Sequence, residues 1–482
     1  MPGILSLDAS GQIAALESGR IGALELLEAC VKRNQQVHGR INAVVSQDLE
    51  RARARAKAVD DLRAKGDPVG PLAGLPMTVK DTFDVEGLPA SSGLESLLHR
   101  RARDAVAVGQ IKRSGAVIWG KTNTPVMAGD WQTFNALYGT TNNPWDLERT
   151  TGGSSGGSAA ALATGITAVE LGSDIGGSLR VPASFCGVFS HKPTWGMVSQ
   201  IGHVPPAPGA HAERDLNVVG PMARSARDLR LLLSVIEHGP LASRAPPAEL
   251  KGLKVGLWLD EPAFILDSEI RSGVEGFADS LRALGAEVRP IGSPVDAPAL
   301  LGAYQILLGA LVGTDLPPHQ RRTLERLRGP ARLARNMGLG ADSWAGLTLA
   351  YTATHAEWIE ANEVRARMVD QMRDAFTRVD VIVAPITPTA PFVHDHRPFD
   401  KRVLRCSDGA KIPYTAMLRW IALATACGLP ATAIPAARTH EGLPIGVQII
   451  GPRGGDSRTL AVAEAIEERL GGFAAPPNPE GV

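Results

Sequence analysis

The sequence predicts an α/β protein: one large domain with a central mixed, mostly parallel, twisted sheet covered by helices on both faces. Three observations lead there. From Leu75 onward, short apolar runs with strand character (Met77–Val79, Val117–Trp119) alternate with helical ones (Asp104–Arg113), and such βα alternation marks parallel strands buried on both faces. Of 482 residues, 44% are hydrophobic and 21% charged, which suits a wide core rather than disorder. No internal repeat and no flexible linker divides the chain.

Asp8 and Ser10 are suited to cap a first helix. Leu24, Leu27 and Val31 recur at helical spacing within Gly22–Val37. Ile41–Val45 reads as a short strand and Asp48–Lys65 as a charged, Ala-rich helix. Thr150–Pro182 is rich in Gly and Ser with an Ala-rich helix inside it. Later strands are expected at Lys254–Leu259, Glu287–Pro290, Val379–Ala384, Ala431–Pro435 and Gly446–Ile450, and Ala299–Ala375 is largely helical. The resulting plan is an N-terminal helical segment (1–66), a sheet core (67–260 and 376–471), a mostly helical lobe shaping a pocket (261–375) and a loose Pro-rich tail (472–482).

Lys+Arg and Asp+Glu are both 50, a net charge of zero. A sequence-independent nucleic-acid binder needs a basic surplus, so no nucleic-acid partner is expected. The basic run Arg51–Lys57 is flanked by Asp48, Glu50, Asp60 and Asp61 and reads as a solvated helix face. Cys30, Cys186, Cys406 and Cys427 are far apart and include no CxxC pair, which speaks against zinc and against a disulfide framework. His394-Asp395-His396 reads as a polar loop rather than a metal site. Met1–Ser10 has no signal-peptide pattern, and the longest apolar runs fall short of a membrane span. The expectation is a cytoplasmic protein without metal or cofactor.

The chemistry concentrates in Thr151-Gly-Gly-Ser154-Ser155-Gly-Gly-Ser158 and Leu171-Gly-Ser-Asp174-Ile175-Gly176-Gly177-Ser178-Leu179-Arg180-Val181-Pro182. A P-loop would need a Lys after its glycines, and none follows. Gly152-Gly-Ser154-Ser-Gly156 matches a G-x-S-x-G elbow, with His191, His203, His394 and His396 downstream, but that scheme leaves the second Gly-Gly-Ser unused. A flexible linker would not be bounded by apolar helix and strand patterns. The remaining reading uses both serines. Gly176-Gly177 lets the backbone curl so that N–H groups from Ile175 to Ser178 share one concavity, an oxyanion hole beside a serine nucleophile. The hydroxyl needs a base, and a lysine kept neutral by burial can serve. Lys80 ends the apolar run Leu75-Pro-Met-Thr-Val79, at the strand end where α/β sites form. The alternative for Lys80 is a plain ion pair with Asp81 or Asp84.

These motifs resemble the amidase signature family. The core is Gly152–Ser158 followed by Gly172-Ser-Asp-Ile-Gly-Gly-Ser-Leu-Arg-Val-Pro-Ala183. Support comes from Leu75–Asp81, Gly120–Pro125, Gly139–Trp145, His191–Thr194, Gly220–Ser225, Gly428–Pro430 and Gly442–Gln448. The resemblance covers nearly the whole chain and is weakest from about Glu261 to Asp370. It implies Ser178 as nucleophile, Ser154 on a cis peptide as proton relay, and Lys80 as base and then acid. The two serines are 178 − 154 = 24 residues apart, as the family's are. It also implies an oxyanion hole from the N–H groups of Ile175, Gly176, Gly177 and Ser178. Ser155 would support the hydrogen-bond network, and Asp174 and Arg180 would anchor the loop that aims Ser178. Met127, Gly129 and Trp131 border the family's acyl pocket.

The function expected on this basis is hydrolysis of carboxylic amides to acid and amine. Esters, aryl amides and carbamates (urethanes) present a carbonyl to the same nucleophile, so esterase and urethanase activity belong to the expectation. The expected partner is a small-molecule amide, ester or carbamate, with no membrane and with a homodimer as an option. A second reading is the glutaminase subunit of a tRNA-dependent amidotransferase, which shares the signature and works in a complex. Met417-Leu-Arg-Trp420 lacks the acid expected for gripping glutamine. A third reading, a non-catalytic binding protein on the same fold, is opposed by all three triad positions being filled.

Overall fold

The computed structural model describes residues 3–239 and 247–477. Residues 1–2 of the N-terminal segment and 478–482 of the expected tail lie outside the described residues. Helix ends follow local chemistry. The Asp8 carboxylate accepts from Gly11 N–H and opens α1 (Ala9–Glu17), partnering one of the donors that every helix start leaves free. α2 (Ala23–Ile41) ends where Asn42 turns left-handed at φ 54°. The first strand, β1 (Val44–Gln47), therefore begins beyond the expected Ile41. α3 (Leu49–Lys65) runs from its Asp48 cap to Gly66 at φ 73°, a helix stop that glycine adopts without side-chain strain.

The chain continues with β2 (Pro76–Lys80), α4 (Val106–Arg113), β3 (Val117–Thr122), α5 (Gly156–Ala163), β4 (Val169–Asp174), α6 (Arg180–Cys186), β5 (Phe189–Lys192), β6 (Val218–Ala223), α7 (Ala226–Ile236), β7 (Lys254–Leu257), α8 (Ser268–Ala283) and β8 (Glu287–Pro290). Four lobe helices follow: α9 (Ala297–Asp315), α10 (Pro318–Asn336), α11 (Trp344–Tyr351) and α12 (His355–Ala375). β9 (Val381–Pro385), α13 (Arg419–Ala426), β10 (Ala431–Arg438), β11 (Pro444–Ile450) and α14 (Asp456–Leu470) complete the fold. The strands form one 11-stranded sheet in the order β1-β3-β2-β4-β6-β5-β10-β11-β9-β7-β8.

The sheet is mixed, but the expectation that it is mostly parallel is corrected. Parallel pairing is confined to β2–β3, β2–β4, β7–β8 and β7–β9, and the other neighbours run antiparallel. Parallel neighbours need a crossover, usually helical. Only a short turn joins β10 to β11, and no helix separates β5 from β6.

Alternation along the strands serves both faces. Val381 and Val383 join Val447, Ile449, α4, α7, α8 and α14 on one side. Ile382, Ala384 and Ile450 join α5, α6, α9, α12 and α13 on the other. Strands β4, β5 and β6, in the middle of the sheet, were not anticipated. Glu170 and Gly172 break the apolar run in β4. Glu170 is nevertheless fully buried, hydrogen-bonded by Thr78, and burial pushes its carboxyl up to about 8. Pro221 argues against a central strand, but the β5–β6 register spans only Met222 and Ala223, so Pro221 lies beyond that ladder.

The lobe is narrower than 261–375, because α8 packs on the sheet and β8 pairs within it. α9 corrects a second expectation. Its 19 residues, with mean hydropathy 1.5, are long and apolar enough to cross a membrane by length and composition. Leu300, Tyr304 and Leu307 on it are buried in the core shared with α12 and α13, so this apolarity serves packing.

Gly157, in the first turn of α5, has no room for a side chain. A Cβ there would lie 2.6 Å from the Asn123 carbonyl oxygen and 3.0 Å from its Cα. Gly157→Ala is expected to destabilise by about 1–3 kcal/mol through overpacking. Gly276 lies exposed in α8 with nothing within 4 Å of a Cβ, and Gly276→Ala is expected to stabilise by about 0.5–1 kcal/mol. Denaturant titration of both variants checks the contrast.

Candidate active site

Lys80, the last residue of β2, is fully buried. Its Nζ lies 2.7 Å from Ser154 Oγ and 3.0 Å from Ser173 Oγ. Neither ion pair that the sequence left open forms. Asp81 faces Lys121 at 3.8 Å and accepts from Ser91 Oγ at 2.5 Å, while Asp84 takes Arg100. Burial pulls the Lys80 ammonium down to about 7, opposed by the Asp174 charge. A large fraction of this amine is therefore uncharged near neutrality, unlike an exposed lysine at about 10.4.

The chain reaches Ser154 through Gly152 at φ 79° and a cis Gly153–Ser154 peptide, the geometry that the resemblance implies. A Cβ on Gly153 would lie 3.0 Å from Gln132 N and collide with the Asp130 carbonyl. Only glycine lets this turn nest against residues 130–132. Thr124 Oγ1 donates to the Ser154 carbonyl at 3.0 Å. Ser155 N donates to the Ser178 carbonyl at 3.3 Å, which ties the two serine turns together, and Ser155 Oγ donates to the Ser173 carbonyl at 3.5 Å.

Ser178 lies between β4 and α6, 6% exposed. The loop before it is pinned from two sides. Tyr304 OH, on α9, donates to the Ile175 carbonyl at 2.6 Å, and Trp131 Nε1 donates to the Gly176 carbonyl at 2.8 Å. In a trans peptide C=O and N–H point in opposite directions. Holding the Ile175 carbonyl thus aims the Gly176 N–H away from Tyr304. The Gly177 N–H donates to Asp174 Oδ1 at 2.9 Å. This differs from the expectation that it points into the oxyanion hole: the Asp174 carboxylate competes for it. The N–H groups of Ile175, Gly176 and Ser178 have no hydrogen-bond partner among the described residues. They are the donors free to meet an oxyanion.

Asp174 and Arg180 anchor this loop. Arg180 Nε and Nη2 donate to Asp174 at 3.0 Å each, and both side chains are fully buried. The remaining guanidinium donors reach Ile421 O, Gln448 Oε1 and Thr425 Oγ1. Burial raises the Asp174 carboxyl, but the charge and hydrogen bonds of Arg180, with Lys192, hold it below the usual carboxylate value. Such a buried pair persists only when its remaining polar atoms are satisfied, as they are here.

The expected pocket residues separate. Trp131 is buried and touches the Ser178 loop. Met127, at φ 50°, and Gly129 occupy the turn before it and hydrogen-bond to Ser92 and Val126 instead. Beside Trp131, Asp130 accepts from Arg402 Nη1 at 2.5 Å and from Tyr414 OH at 2.6 Å. Tyr304, Ser173 and the Asp130–Arg402–Tyr414 group are site residues that the sequence did not single out. Ser173 lies inside the quoted motif, between Gly172 and Asp174, so its position was available. Asp130 likewise stands between Gly129 and Trp131, in a stretch the sequence pointed to, whereas Tyr304, Arg402 and Tyr414 lie outside any quoted motif and meet their partners across 129, 272 and 284 residues of chain.

The arrangement offers a buried amine pulled down to about 7, a hydroxyl in contact with it, a second serine at a loop of free N–H donors, and an anchored turn between them. Comparison with known proteins bears on what uses such a set. The Amidase family model matches residues 25–460. The chain is similar to the A-subunit of glutamyl-tRNA(Gln) amidotransferase from Acidobacterium capsulatum, 34% identical over 481 residues, covering 94% of this chain and 97% of that one. Among solved structures it superposes on an amidase with TM-score 0.79 and 29% identity, covering 96% of this chain and all of the other. It also superposes on 6-aminohexanoate cyclic dimer hydrolase complexed with substrate, with TM-score 0.76 and 27% identity, covering 97% of each chain. The motif geometry and a match running through both halves of the sheet lead to one conclusion: the chain belongs to the amidase signature family.

Proposed function

We propose that the protein hydrolyses carboxylic amides through an acyl-enzyme on Ser178, with Ser154 as proton relay and Lys80 as base. The observation that carries this reading is the buried Lys80 amine, 2.7 Å from Ser154 Oγ and without a carboxylate ion-pair partner among the described residues. Uncharged Lys80 takes the Ser154 proton as Ser154 takes that of Ser178. The Ser178 oxygen adds to the substrate carbonyl, and the oxyanion meets the N–H groups of Ile175, Gly176 and Ser178. The C–N bond then breaks, and the proton returns from Lys80 through Ser154 to the leaving nitrogen. Water adds to the acyl-enzyme by the same route, its proton going to Lys80 and then to Ser178 as the acid departs. Asp174 and Arg180 act by holding the turn, and their contribution is orientation.

The acyl group of the preferred substrate is apolar in this reading. A Cβ at Gly176 would meet Leu418 at 3.6 Å and Trp131 at 4.0 Å, and Ile175 and Leu418 are only partly buried. Asp130, beside Trp131, already has both oxygens occupied. Amides, aryl amides, esters and carbamates with hydrophobic acyl groups fit these surroundings.

The similarity to the amidotransferase A-subunit supports a second reading, the glutaminase component of such an enzyme, and by sequence it is the better supported of the two. A glutamine substrate brings an ammonium and a carboxylate that need unpaired opposite charges. Arg419, in the segment expected to grip them, is engaged with the Ala263 carbonyl and Asp342. This weighs toward the first reading. Ammonia release from glutamine, measured beside hydrolysis of aryl amides, esters and carbamates, separates the two. The expected result is turnover of an apolar member of the panel well above that of glutamine, and a preference for glutamine would reverse the assignment.

Two further outcomes are expected. Ser178→Ala should abolish turnover and fluorophosphonate labelling while leaving the far-UV circular dichroism unchanged, and a labelled, active variant would refute the nucleophile. Since Lys80 must be uncharged to accept a proton and titrates at about 7, kcat/KM should be flat above that pH. Below it, the rate should fall about tenfold per pH unit. Lys80→Met should remove this acid limb together with most of the rate.

A further inference from the structure

Lys80 touches a second hydroxyl for which the reaction above has no use. Ser173 Oγ lies 3.0 Å from Lys80 Nζ and 2.8 Å from His203 Nε2. His203 is 6% exposed and packs edge-on against Phe83, with ring centroids 5.0 Å apart. Its segment is laced to the chain just beyond Lys80: Val204 N donates to Thr82 O at 2.7 Å, and Asp84 N donates to Gly202 O at 2.8 Å. The other ring nitrogen, Nδ1, lies 2.7 Å from the Pro205 carbonyl oxygen.

Donor and acceptor accounting gives this chain one direction. A carbonyl oxygen only accepts, so Nδ1 carries the imidazole proton. In neutral imidazole Nε2 then has only a lone pair. Ser173 has one proton and spends it on Nε2. Its oxygen is left as an acceptor, and Lys80 must donate to it. A neutral amine has two N–H bonds and one lone pair. With one N–H committed to Ser173, the lone pair is free to face the Ser154 hydroxyl. A protonated His203 would reverse the chain, since Nε2 would donate to Ser173 and free the Ser173 proton to occupy the Lys80 lone pair.

Resting on the reading of Lys80 as the base, we propose that His203 is a positioning residue. Acting through Ser173, it sets the polarity of the hydrogen bonds around Lys80 so that the amine presents its lone pair to Ser154. The groups bearing on this chain are consistent with a neutral imidazole. Burial, then the Lys80 charge and Arg214, hold His203 down to about 3 against the hydrogen bond to the Pro205 carbonyl, which raises it. On the Lys80 side the charged neighbour is Asp174.

The test is the rate of fluorophosphonate labelling of Ser178 against pH, read by intact-protein mass spectrometry, which needs no knowledge of the substrate. His203→Phe should slow labelling about 10–100-fold at pH 8, the scale on which misorientation of a reacting group acts. His203→Gln, whose amide oxygen restores the acceptor for Ser173, should label near the wild-type rate. Ser173→Ala should be slowed like His203→Phe, and the double variant should be no slower than Ser173→Ala alone. Wild-type labelling by His203→Phe, or a double variant slowed by the product of the two single effects, overturns the role of His203 and leaves the Ser178 reading intact. A wild-type chain that takes no label overturns both. If His203→Phe fails to fold, the comparison of His203→Gln with Ser173→Ala decides, and equal slowing of those two overturns the proposal.

Discussion

The constraint on which the structure turns is the Lys80 amine, buried without a carboxylate ion-pair partner among the described residues. In water an ammonium is stabilised by hydration, and in a dry interior it holds its charge only beside an anion. Lys80 is given hydroxyls in place of one: Ser154 at 2.7 Å and Ser173 at 3.0 Å. The adjacent carboxylates are spoken for, Asp81 by Lys121 and Ser91, and Asp84 by Arg100. Asp174 acts on Lys80 through its charge, but its oxygens are bound to Arg180 and to the Gly177 and Leu179 N–H groups. The interior withholds an ion pair from Lys80 by completing pairs elsewhere, and Lys192 is likewise buried without a salt bridge among the described residues, its ammonium also pulled down to about 7 by burial. What sets Lys80 apart is its acceptors: Lys121 and Lys192 lie equally deep but donate to carbonyl oxygens, and no serine among the described residues accepts from either.

A second requirement follows. In the proposed reaction an amine near neutrality is useful only if Ser154 and Ser178 stay aligned, and those two serines belong to separate turns. Backbone contact between Ser155 and Ser178 joins the turns. The Asp174–Arg180 pair stiffens the second one by bonding both to its own loop and to α13 and β11 through Ile421, Thr425 and Gln448. Removing one member of such a pair leaves a buried charge unmatched, at a cost of about 3–5 kcal/mol. The anchor and the geometry of the Ser178 turn are therefore lost together, which makes Asp174 and Arg180 poor probes of the proposed chemistry and good probes of folding.

The sequence made the site more legible than the fold. Lys80, Ser154 and Ser178 stand in ordered motifs, and local chemistry at Asp8, Asp48 and Gly66 set helix ends where expected. What escaped were features decided by distant partners. Glu170 and Gly172 made β4 look unlike a strand, because Thr78 supplies the hydrogen bond that makes Glu170 tolerable inside. Sheet direction escaped because it depends on which connections carry helices, and the β5–β6 connection carries none. The Gly177 donor was assigned to the oxyanion hole because spacing reveals that an N–H exists and not which acceptor reaches it first. His203 appeared in sequence as a candidate base for another scheme. Its neighbour Ser173 becomes visible only when β4 and the 202–206 segment meet.

The lobe also changes meaning once its contacts are known. A helical insertion reads naturally as a wall that shapes the substrate pocket. Tyr304 on α9 also reaches into the Ser178 turn and holds the Ile175 carbonyl at 2.6 Å, and so orients the peptide whose N–H belongs to Gly176. Tyr304 is itself buried among Leu300, Leu307 and α13, so its hydroxyl position is set by lobe packing. In the proposed function, shaping of the substrate pocket and stabilisation of the transition state are thus not separable layers. Variation in α9 that moves its axis transmits to the Gly176 N–H, one of the donors of the proposed oxyanion hole.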